Sequence, residues 1–343
     1  MECKFTTPIL HVYQVAADQI ASLCRYSWRF RLVQFALNTV KRARDAQLVS
    51  QGLSVNAEVQ DYIALLKPRV MSLVVFTGFA GVLVAPGHLH PLLAVVAVIC
   101  IAIGAGAAGA INMWYDRDVD AIMTRTCKRP IPAGRMAPGN ALGFGILLAV
   151  ASVVIMGLSV NLAAALLLSL AITFYVFVYT VWLKRRTPQN IVVGGAAGAF
   201  PPMIGWAAVS GGVGVESAAL FALIFFWTPP HFWALSLYRA GDYARAGIPM
   251  LPVVAGPRET KRQMLIYTIL LLPLGTAPYW LGIAGLIYLM TSVILGILFV
   301  GFALAVWFDD GDRAAKRMFG FSIIHLFTLF SAMIVDQTPG LGG

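Results

Sequence analysis

Runs of about twenty residues without a charged side chain recur along this 343-residue chain, and they constrain its fold more than any other feature. A helix needs about 20 apolar residues to cross the hydrocarbon core of a bilayer. Nine runs reach this length, at approximately 70–87, 91–112, 139–158, 162–182, 190–209, 217–237, 264–282, 285–307 and 318–335. The connections are short and no segment alternates apolar with polar residues, which argues against a membrane β-barrel. The sequence therefore predicts an all-α polytopic membrane protein with nine transmembrane helices.

Basic residues are confined to one side of the predicted bundle. If the segment before residue 70 is cytoplasmic, alternation places all 25 Lys and Arg residues on the cytoplasmic side, as the positive-inside rule requires. Charged residues make up 12% of the chain, against about 25% in soluble domains. The net charge of +10 is therefore explained by topology and by contact with anionic lipid headgroups, and it does not indicate nucleic-acid binding.

The first 60 residues differ from the rest of the chain, because charged side chains interrupt their apolar ones throughout. They contain neither the continuous apolar core nor the cleavage site of a secretory signal peptide, and they fit a mitochondrial transit peptide only in part. We expect residues 1–60 to form a cytoplasmic extension that is disordered or lies at the membrane interface. Residues 61–337 are expected to form the membrane domain, and residues 338–343 a short tail.

The cytoplasmic connection at 113–138 opens with acidic residues, in the stretch NMWYDRDVD. Asn112, Asp116 and Asp120 recur every four positions, which predicts one stripe along a helix, with Asp118 off the stripe. Like charges spaced in this way repel, so the stripe destabilises the helix unless a cation binds to it. Oxygen ligands of this kind suit Mg²⁺ or Ca²⁺, and Mg²⁺ typically combines one or two carboxylates with substrate phosphate. The spacing therefore predicts a metal site.

Basic side chains follow the acidic stretch and offer partners for a bound diphosphate. The segment TRTCKRPIPAGR supplies Arg125, Lys128, Arg129 and Arg135, and LKRRTPQN adds Lys184 and Arg185 on the same membrane face. For Arg135, as for Asp118, the simpler interpretation is a residue that marks a helix end at the membrane surface. A stop-transfer anchor explains Lys184 and Arg185 as well as a phosphate contact does, so both interpretations stay open.

The second long connection, 238–263, repeats this pattern with a single acid near its start. Tyr238 and Asp242 are four residues apart, and Arg239 lies between them. One carboxylate is a poor metal site by itself, but Asp242 would complete a site if it faced the first acidic stretch across a cavity. Taken alone, the residues support a structural and a functional role for Asp242 equally.

His231 is an ionisable residue inside the apolar run 217–237, directly after Pro229 and Pro230, which are expected to break this helix. Ionisable groups within a membrane span are functional candidates, and a neutral imidazole is a common ligand of metals and of haem iron. The alternative is a structural histidine that pairs with the carbonyls freed by the two prolines. His325 has less context and is expected to be structural.

Small residues cluster at 104–109 and at 194–200, where they predict close packing of membrane helices. The first cluster matches G-x-G-x-x-G in its letters, but no strand precedes it and no βαβ unit surrounds it. A dinucleotide-binding site is therefore excluded.

Three stretches together resemble the UbiA superfamily of intramembrane prenyltransferases: NMWYDRDVDAIMTRTCKRPIPAGRM, TPQNIVVGGAAGAFPPMIGW and WTPPHFWALSLYRAGDYARAGIPMLPV. The resemblance covers about residues 60–335 and implies a helical bundle around a lipid-accessible central cavity, capped on the cytoplasmic side by the two acidic connections. It implies that Asn112, Asp116 and Asp120, which match the motif N-x-x-x-D-x-x-x-D, hold Mg²⁺ on a prenyl diphosphate. Asp242 is expected to be a further metal ligand, and Asp116, Asp120 and Asp242 are the expected catalytic residues. The expected diphosphate contacts are Arg125, Lys128, Arg129, Lys184, Arg185, Tyr238 and Arg239.

Members of the superfamily that act on aromatic acceptors carry D-x-x-x-D as their second motif, and here Tyr238 takes the place of its first acid. This departure favours the branch that acts on haem. That branch implies transfer of a farnesyl group from farnesyl diphosphate to the vinyl group of protohaem IX (haem B), which gives haem O, with His231 as a candidate haem contact. It also implies a bacterial inner membrane, or alternatively a mitochondrial one, an active site on the cytoplasmic side, and haem A synthase or terminal oxidase assembly as partners.

Two other functions stay open from the sequence. An enzyme of the same superfamily could prenylate an aromatic or quinone precursor. A haem carrier or secondary transporter would perform no chemistry, but transporters place ionisable residues near the membrane midplane. In this chain nearly all ionisable residues lie at one membrane face, which favours a reaction chamber over a permeation path.

Overall fold

The computed structural model of the protein describes residues 57–337, which contain helices and turns but no strand. The helices are α1 (Val59–Leu65), α2 (Pro68–Val84), α3 (Pro91–Tyr115), α4 (Arg117–Ile122), α5 (Pro138–Ser159), α6 (Leu162–Thr173) with a π-helical continuation (Phe174–Leu183), α7 (Asn190–Gly194), α8 (Ala196–Ser210), α9 (Val215–Tyr238), α10 (Ala240–Arg245), α11 (Leu251–Val254), α12 (Gly256–Trp280), α13 (Leu286–Phe308) and α14 (Arg313–Asp336). The all-α prediction is confirmed. Most of the predicted extension at 1–60, and the tail at 338–343, lie outside the described residues.

Within the described range, seven helical segments are long and apolar enough to cross a membrane, and the bent pair α1–α2 would raise this number to eight. The predicted count of nine is therefore not confirmed. The predicted run without a matching candidate span is 264–282, which falls in α12. The first turns of α12 carry the charged residues Arg258, Glu259, Lys261 and Arg262. Large apolar side chains such as Leu147, Leu166 and Ile297 are exposed on the outer helices. Apolar surface on this scale has no place in water, and the protein is an integral membrane protein.

Local sequence explains where several spans begin. Proline stands at the first position of α2, α3 and α5, where its fixed φ suits a helix and its missing N–H is not needed. The Asn161 side chain accepts a hydrogen bond of 2.8 Å from the Ala164 N–H and so caps α6. These proline and asparagine residues start each helix within a few residues of the preceding loop. Successive spans are therefore joined by tight turns.

Glycine allows α2 and α8 to cross in direct backbone contact. A Cβ atom added at Gly205 would lie 2.1 Å from the Gly78 carbonyl oxygen, and one added at Gly81 would lie 2.2 Å from the Pro202 carbonyl oxygen. In the two predicted clusters, a Cβ at Gly104 would lie 2.8 Å from Leu168 Cδ1, and one at Gly194 would lie 2.2 Å from the Tyr179 ring. The prediction that the small-residue clusters permit close helix packing is confirmed.

A small hydrophobic cluster joins the two long connections at the basic end of the bundle. Val119 and Met123, at the end of the first acidic stretch, pack with Tyr243, Ile248 and Met250 of the second connection. This packing positions α4 beside α10, so the two acidic segments, more than one hundred residues apart in sequence, become neighbours.

Candidate active site

The first acidic stretch lies at a junction between two helices. α3 ends at Tyr115 and α4 begins at Arg117, with Asp116 between them at φ −88° and ψ 9°. The prediction of one continuous helix is therefore wrong. The i to i+4 backbone hydrogen bonds nevertheless continue through the bend, from Asp116 N to Asn112 O (2.9 Å) and from Asp120 N to Asp116 O (2.8 Å). Asn112, Asp116 and Asp120 are all buried.

Asn112 organises the centre of this site. Its Nδ2 donates to Asp116 Oδ2 at 2.7 Å and to Thr180 Oγ1 at 3.2 Å, and its Oδ1 accepts from Lys67 Nζ at 3.1 Å. Both amide hydrogens and the amide oxygen therefore have partners, which fixes the orientation of the side chain. Thr180 lies in the π-helical segment, a local form that is frequent at functional sites.

Each carboxylate of the first stretch is paired with a basic side chain. Asp116 forms ion pairs with Lys184 and, at 3.2 Å, with Arg185. Arg185 also bridges to Asp118 at 2.7 Å, and Arg129 binds Asp120 at 2.6 Å. The structure thus places the predicted residues Arg129, Lys184 and Arg185 around the carboxylates.

The surroundings of Arg185, which follows the π-helical segment, favour its charged form. Burial disfavours its charge, but the hydrogen bonds and negative charge of Asp118, with Asp116, raise the pKa of Arg185 above its usual range. The guanidinium stays charged, so the site keeps a permanent cation beside Asp116.

Lys67 is a site residue that the sequence analysis missed. It precedes α2 in a left-handed backbone conformation, with φ 51° and ψ 52°, which costs an L-residue roughly 1–2 kcal/mol. Strained backbone of this kind collects at functional sites. The only sequence signal was the tripeptide Lys67-Pro68-Arg69 at the start of the bundle.

The second acidic segment also differs from the predicted helix. α9 ends at Tyr238 and Asp242 lies on the separate helix α10, because the chain bends at Arg239. The buried Asp242 carboxylate accepts a 2.5 Å hydrogen bond from Thr124 Oγ1, and it forms ion pairs with Arg245 and, at 3.9 Å, with Arg239. Thr124 belongs to the first connection, so the two acidic segments are in contact.

The remaining predicted residues lie around this contact. Arg125 donates to the Tyr243 hydroxyl at 3.5 Å, and the Tyr238 ring lies 5.8 Å from the Arg239 guanidinium and 5.6 Å from Lys316 Nζ. Lys128 is exposed and forms no salt bridge among residues 57–337. Arg135 pairs with Asp61 at 2.8 Å.

His231 lies within α9, which runs through Pro229 and Pro230 without a break. The predicted helix break is therefore wrong. The imidazole is stacked between the rings of Trp227 (centroids 4.3 Å apart) and Phe319 (4.6 Å). Its Nδ1 lies 2.6 Å from Ser322 Oγ. The carbonyls freed by the prolines do not hold this ring.

The donor set has the chemistry that a hard cation prefers. Among the described residues, no group of three or more His, Cys, Asp or Glu side chains could hold a metal ion by itself. Asn112 and Asp116 are in contact and supply amide and carboxylate oxygens. Because Mg²⁺ usually needs only one or two carboxylates when substrate phosphate completes its shell, these residues fit Mg²⁺ that arrives with a diphosphate.

The sequence matches known prenyltransferases over most of its length. The profile described as the UbiA prenyltransferase family matches residues 73–329. A protein named protoheme IX farnesyltransferase from Parvibaculum lavamentivorans is 54% identical over 308 residues, covering 89% of this chain and 96% of the relative. One of the same name from Rhizobium rhizogenes is 56% identical over 302 residues, covering 85% and 94%.

The fold is also that of solved structures of this kind. The structure of a UbiA homologue from Archaeoglobus fulgidus bound to GPP and Mg²⁺ has a TM-score of 0.55 with 18% sequence identity. It covers 79% of this chain and 99% of that chain. At this identity the likeness establishes the shared fold.

Proposed function

The chain belongs to the UbiA prenyltransferase family, and we propose that it transfers a farnesyl group from farnesyl diphosphate to a vinyl group of protohaem IX (haem B), forming haem O. The relatives named protoheme IX farnesyltransferase support this substrate pair, because they are 54–56% identical over 85–89% of the chain. The observation that carries the proposal is the buried pair Asn112–Asp116, surrounded by lysine and arginine at one end of an apolar bundle.

The basic side chains outnumber the acids and suit a diphosphate. Four carboxylates (Asp116, Asp118, Asp120 and Asp242) form salt bridges with five basic residues (Arg129, Lys184, Arg185, Arg239 and Arg245). Lys67 adds a further amine. A phosphate group draws on the same donors, since arginine forks and lysine ammonium groups bind its oxygens well. The excess of cations therefore provides a binding site for the diphosphate, and the farnesyl tail would lie among the apolar helices of the bundle.

The first chemical step breaks the bond between C1 of the farnesyl group and the diphosphate oxygen, and the bonding electrons leave with the diphosphate. Lys184, Arg185 and Arg129 are positioned to stabilise the negative charge that develops on the leaving group. Asn112, Asp116 and Asp120 would hold Mg²⁺ here, and the ion would supply Lewis-acid stabilisation of the same charge. The apolar helices exclude water, which would otherwise quench the allylic cation.

The second step joins the two substrates. The vinyl group of protohaem IX donates its π electrons to farnesyl C1, a C–C bond forms at the terminal vinyl carbon, and the positive charge moves to the other vinyl carbon. Water adds there and loses a proton, which gives the hydroxyethylfarnesyl group. Diphosphate and one proton are the other products. His231 is our candidate for placing the haem, through its iron or as a polar contact.

The cellular setting follows from the same assignment. The relatives are bacterial proteins, and all basic residues lie on one side of the predicted topology. We therefore place the protein in the bacterial inner membrane, with its active site facing the cytoplasm. Haem O is a precursor of the haems of terminal oxidases, so haem A synthase or a terminal oxidase assembly is the expected recipient.

The direct test uses the full chain purified in detergent and supplied with protohaem IX, farnesyl diphosphate and Mg²⁺. We expect mass spectrometry to detect haem O and a colorimetric assay to detect diphosphate in equal amount. 4-Hydroxybenzoate in place of haem distinguishes the aromatic-acceptor alternative. Prenylated benzoate without haem O would contradict the proposal, and so would haem binding without release of diphosphate.

A further inference from the structure

We propose that Ser322 is a positioning residue: it holds His231 in the one tautomer that leaves Nε2 free to bind the iron of protohaem IX. This inference rests on the proposed function, because haem is the substrate assumed there. The observation that carries it is a chain of two hydrogen bonds. The first joins His231 on α9 to Ser322 on α14, 91 positions later, and the second joins Ser322 to the Phe319 carbonyl oxygen within α14.

The direction of the two bonds follows from their donors. Ser322 Oγ lies 2.7 Å from the Phe319 carbonyl oxygen, and a carbonyl cannot donate, so the serine hydroxyl proton is used in this bond. The 2.6 Å contact between Ser322 Oγ and His231 Nδ1 therefore has Nδ1–H as its donor. A neutral imidazole protonated at Nδ1 carries its lone pair on Nε2. The recorded hydrogen bonds of His231 within residues 57–337 involve Nδ1 alone.

The structure fixes the ring plane of His231 in addition to the position of its proton. The rings of Trp227 and Phe319 lie on either side of it, tilted by 17° and 24°. Trp227 Nε1 also donates to the Ser322 carbonyl oxygen at 3.0 Å. Both Trp227 and His231 are therefore hydrogen-bonded to Ser322 on α14. A metal-binding histidine is commonly held in this way, by a hydrogen bond at one nitrogen that orients the other.

The position of His231 suits a substrate that must reach the acidic connections. It lies seven residues before Tyr238 on α9, a distance of about 10 Å along the axis at 1.5 Å per residue. The Phe319 ring contacts both residues, with centroids 4.6 Å from His231 and 6.3 Å from Tyr238. Phe232 packs against the cluster that contains Val119 and Tyr243. An iron held at His231 therefore leaves the edge of the porphyrin, which carries the vinyl groups, within reach of the diphosphate end.

The experiment titrates the purified full chain with protohaem IX, without farnesyl diphosphate, and records absorption and resonance Raman spectra. We expect a histidine-ligated haem in the wild type, and loss of that ligation in His231→Ala. Ser322→Ala should weaken haem binding about 10-fold or more, the usual cost of losing an outer partner of a metal ligand. It should also lower the iron–histidine stretching frequency of the ferrous form, because Nδ1–H loses its acceptor. Ser322→Thr keeps a hydroxyl and should restore both values.

Ser236→Ala is the matched control. Ser236 is also buried, and its hydroxyl donates to the carbonyl three residues earlier at 3.0 Å, as Ser322 does. Within residues 57–337 it forms no hydrogen bond with a histidine. We expect this variant to bind haem with wild-type affinity and an unchanged stretching frequency.

Two results would overturn the inference: a wild-type spectrum without histidine ligation, or a Ser322→Ala variant whose affinity and stretching frequency equal those of the wild type. A Ser322→Ala variant that fails to fold is replaced by Ser322→Cys, which keeps the size but offers a poor acceptor. Addition of farnesyl diphosphate and Mg²⁺ to the wild type separates this inference from the proposed function. Haem O formed without histidine ligation overturns the inference alone, and histidine ligation without haem O overturns the proposed function alone.

Discussion

The Asn112 side-chain amide donates a 2.7 Å hydrogen bond to the Asp116 carboxylate, and both side chains are buried where α3 meets α4. A carboxylate removed from water is stable only when hydrogen bonds and opposite charges replace its hydration. Asn112, Lys184 and Arg185 supply them. An acid maintained at such a cost in desolvation, beside an excess of cations, is best explained by a ligand that needs both.

Replacing Asp116 tests the role of this carboxylate. Asp116→Asn keeps the shape of the side chain and removes its charge, and we expect haem O formation to fall about 100-fold or more, the usual loss when a group that stabilises developing charge is removed. Product is measured by mass spectrometry on protein that elutes as a single species. Asp312→Asn is the control, because Asp312 forms an exposed pair with Lys316 at 3.4 Å. Equal turnover in the two variants would remove Asp116 from the mechanism.

The basic residues of the first connection should differ in importance. Arg129 binds the buried Asp120, whereas Lys128 is exposed. We expect Arg129→Met to lower kcat/KM for farnesyl diphosphate about 10-fold or more, as loss of a buried charge-assisted contact implies. Lys128→Met should lower it less, and neither should change the affinity for haem. Steady-state kinetics at varied farnesyl diphosphate measures both. The reverse order would show that the ion pair with Asp120 does not mark the diphosphate site.

Two substitutions of Lys67 distinguish its contribution to stability from its contribution to activity. Lys67→Gly and Lys67→Ala both remove the amine that contacts Asn112, so we expect the same loss of kcat/KM for farnesyl diphosphate in the two variants. Their stabilities should differ, because glycine adopts the φ of 51° without the strain of about 1–2 kcal/mol that alanine keeps. Thermal unfolding in detergent should therefore give a higher midpoint for the glycine variant. Equal midpoints would show that the backbone at residue 67 carries no strain.

Substitutions at two glycines of α8 test its close packing against α2. A Cβ at Gly205 would lie 2.1 Å from the Gly78 carbonyl oxygen, whereas one at Gly198 would meet nothing within 4 Å. We expect Gly205→Ala to destabilise the bundle by about 1–3 kcal/mol, as overpacking does. Gly198→Ala should leave the unfolding midpoint unchanged or slightly raised. Unfolding followed by tryptophan fluorescence compares them, and identical midpoints would contradict the direct backbone contact.

Much of the helical bundle was predictable, because the bilayer requires long uncharged segments. The predicted runs 162–182 and 285–307 match the observed segments Leu162–Leu183 and Leu286–Phe308 to within one residue. α12 begins at Gly256, eight residues before its predicted run, because its first turns are charged and a count of apolar residues does not register them. The bends at Asp116 and Arg239 were not predictable, since residue spacing does not report a local change in ψ.

The site was predictable in its residue types and only partly in its contacts. Asp116, Asp120, Lys184 and Arg129 stood out because charge at the end of an apolar run is conspicuous. Thr180 and Ser322 did not stand out, since a hydroxyl is common in any helix. Their contacts with Asn112 and His231 join residues 68 and 91 positions apart. Only the folded bundle brings such pairs together, so no local pattern could indicate them.

The most direct test of the account replaces Mg²⁺ with Mn²⁺ and measures its coupling to phosphorus. Purified protein with Mn²⁺ and farnesyl diphosphate is examined by electron–nuclear double resonance, which detects ³¹P nuclei close to the metal. We predict a strong ³¹P coupling in the wild type and in Asp312→Asn, and its loss in Asp116→Asn. An unchanged coupling and Mn²⁺ affinity in Asp116→Asn would contradict the claim that this buried acid holds the metal on the diphosphate.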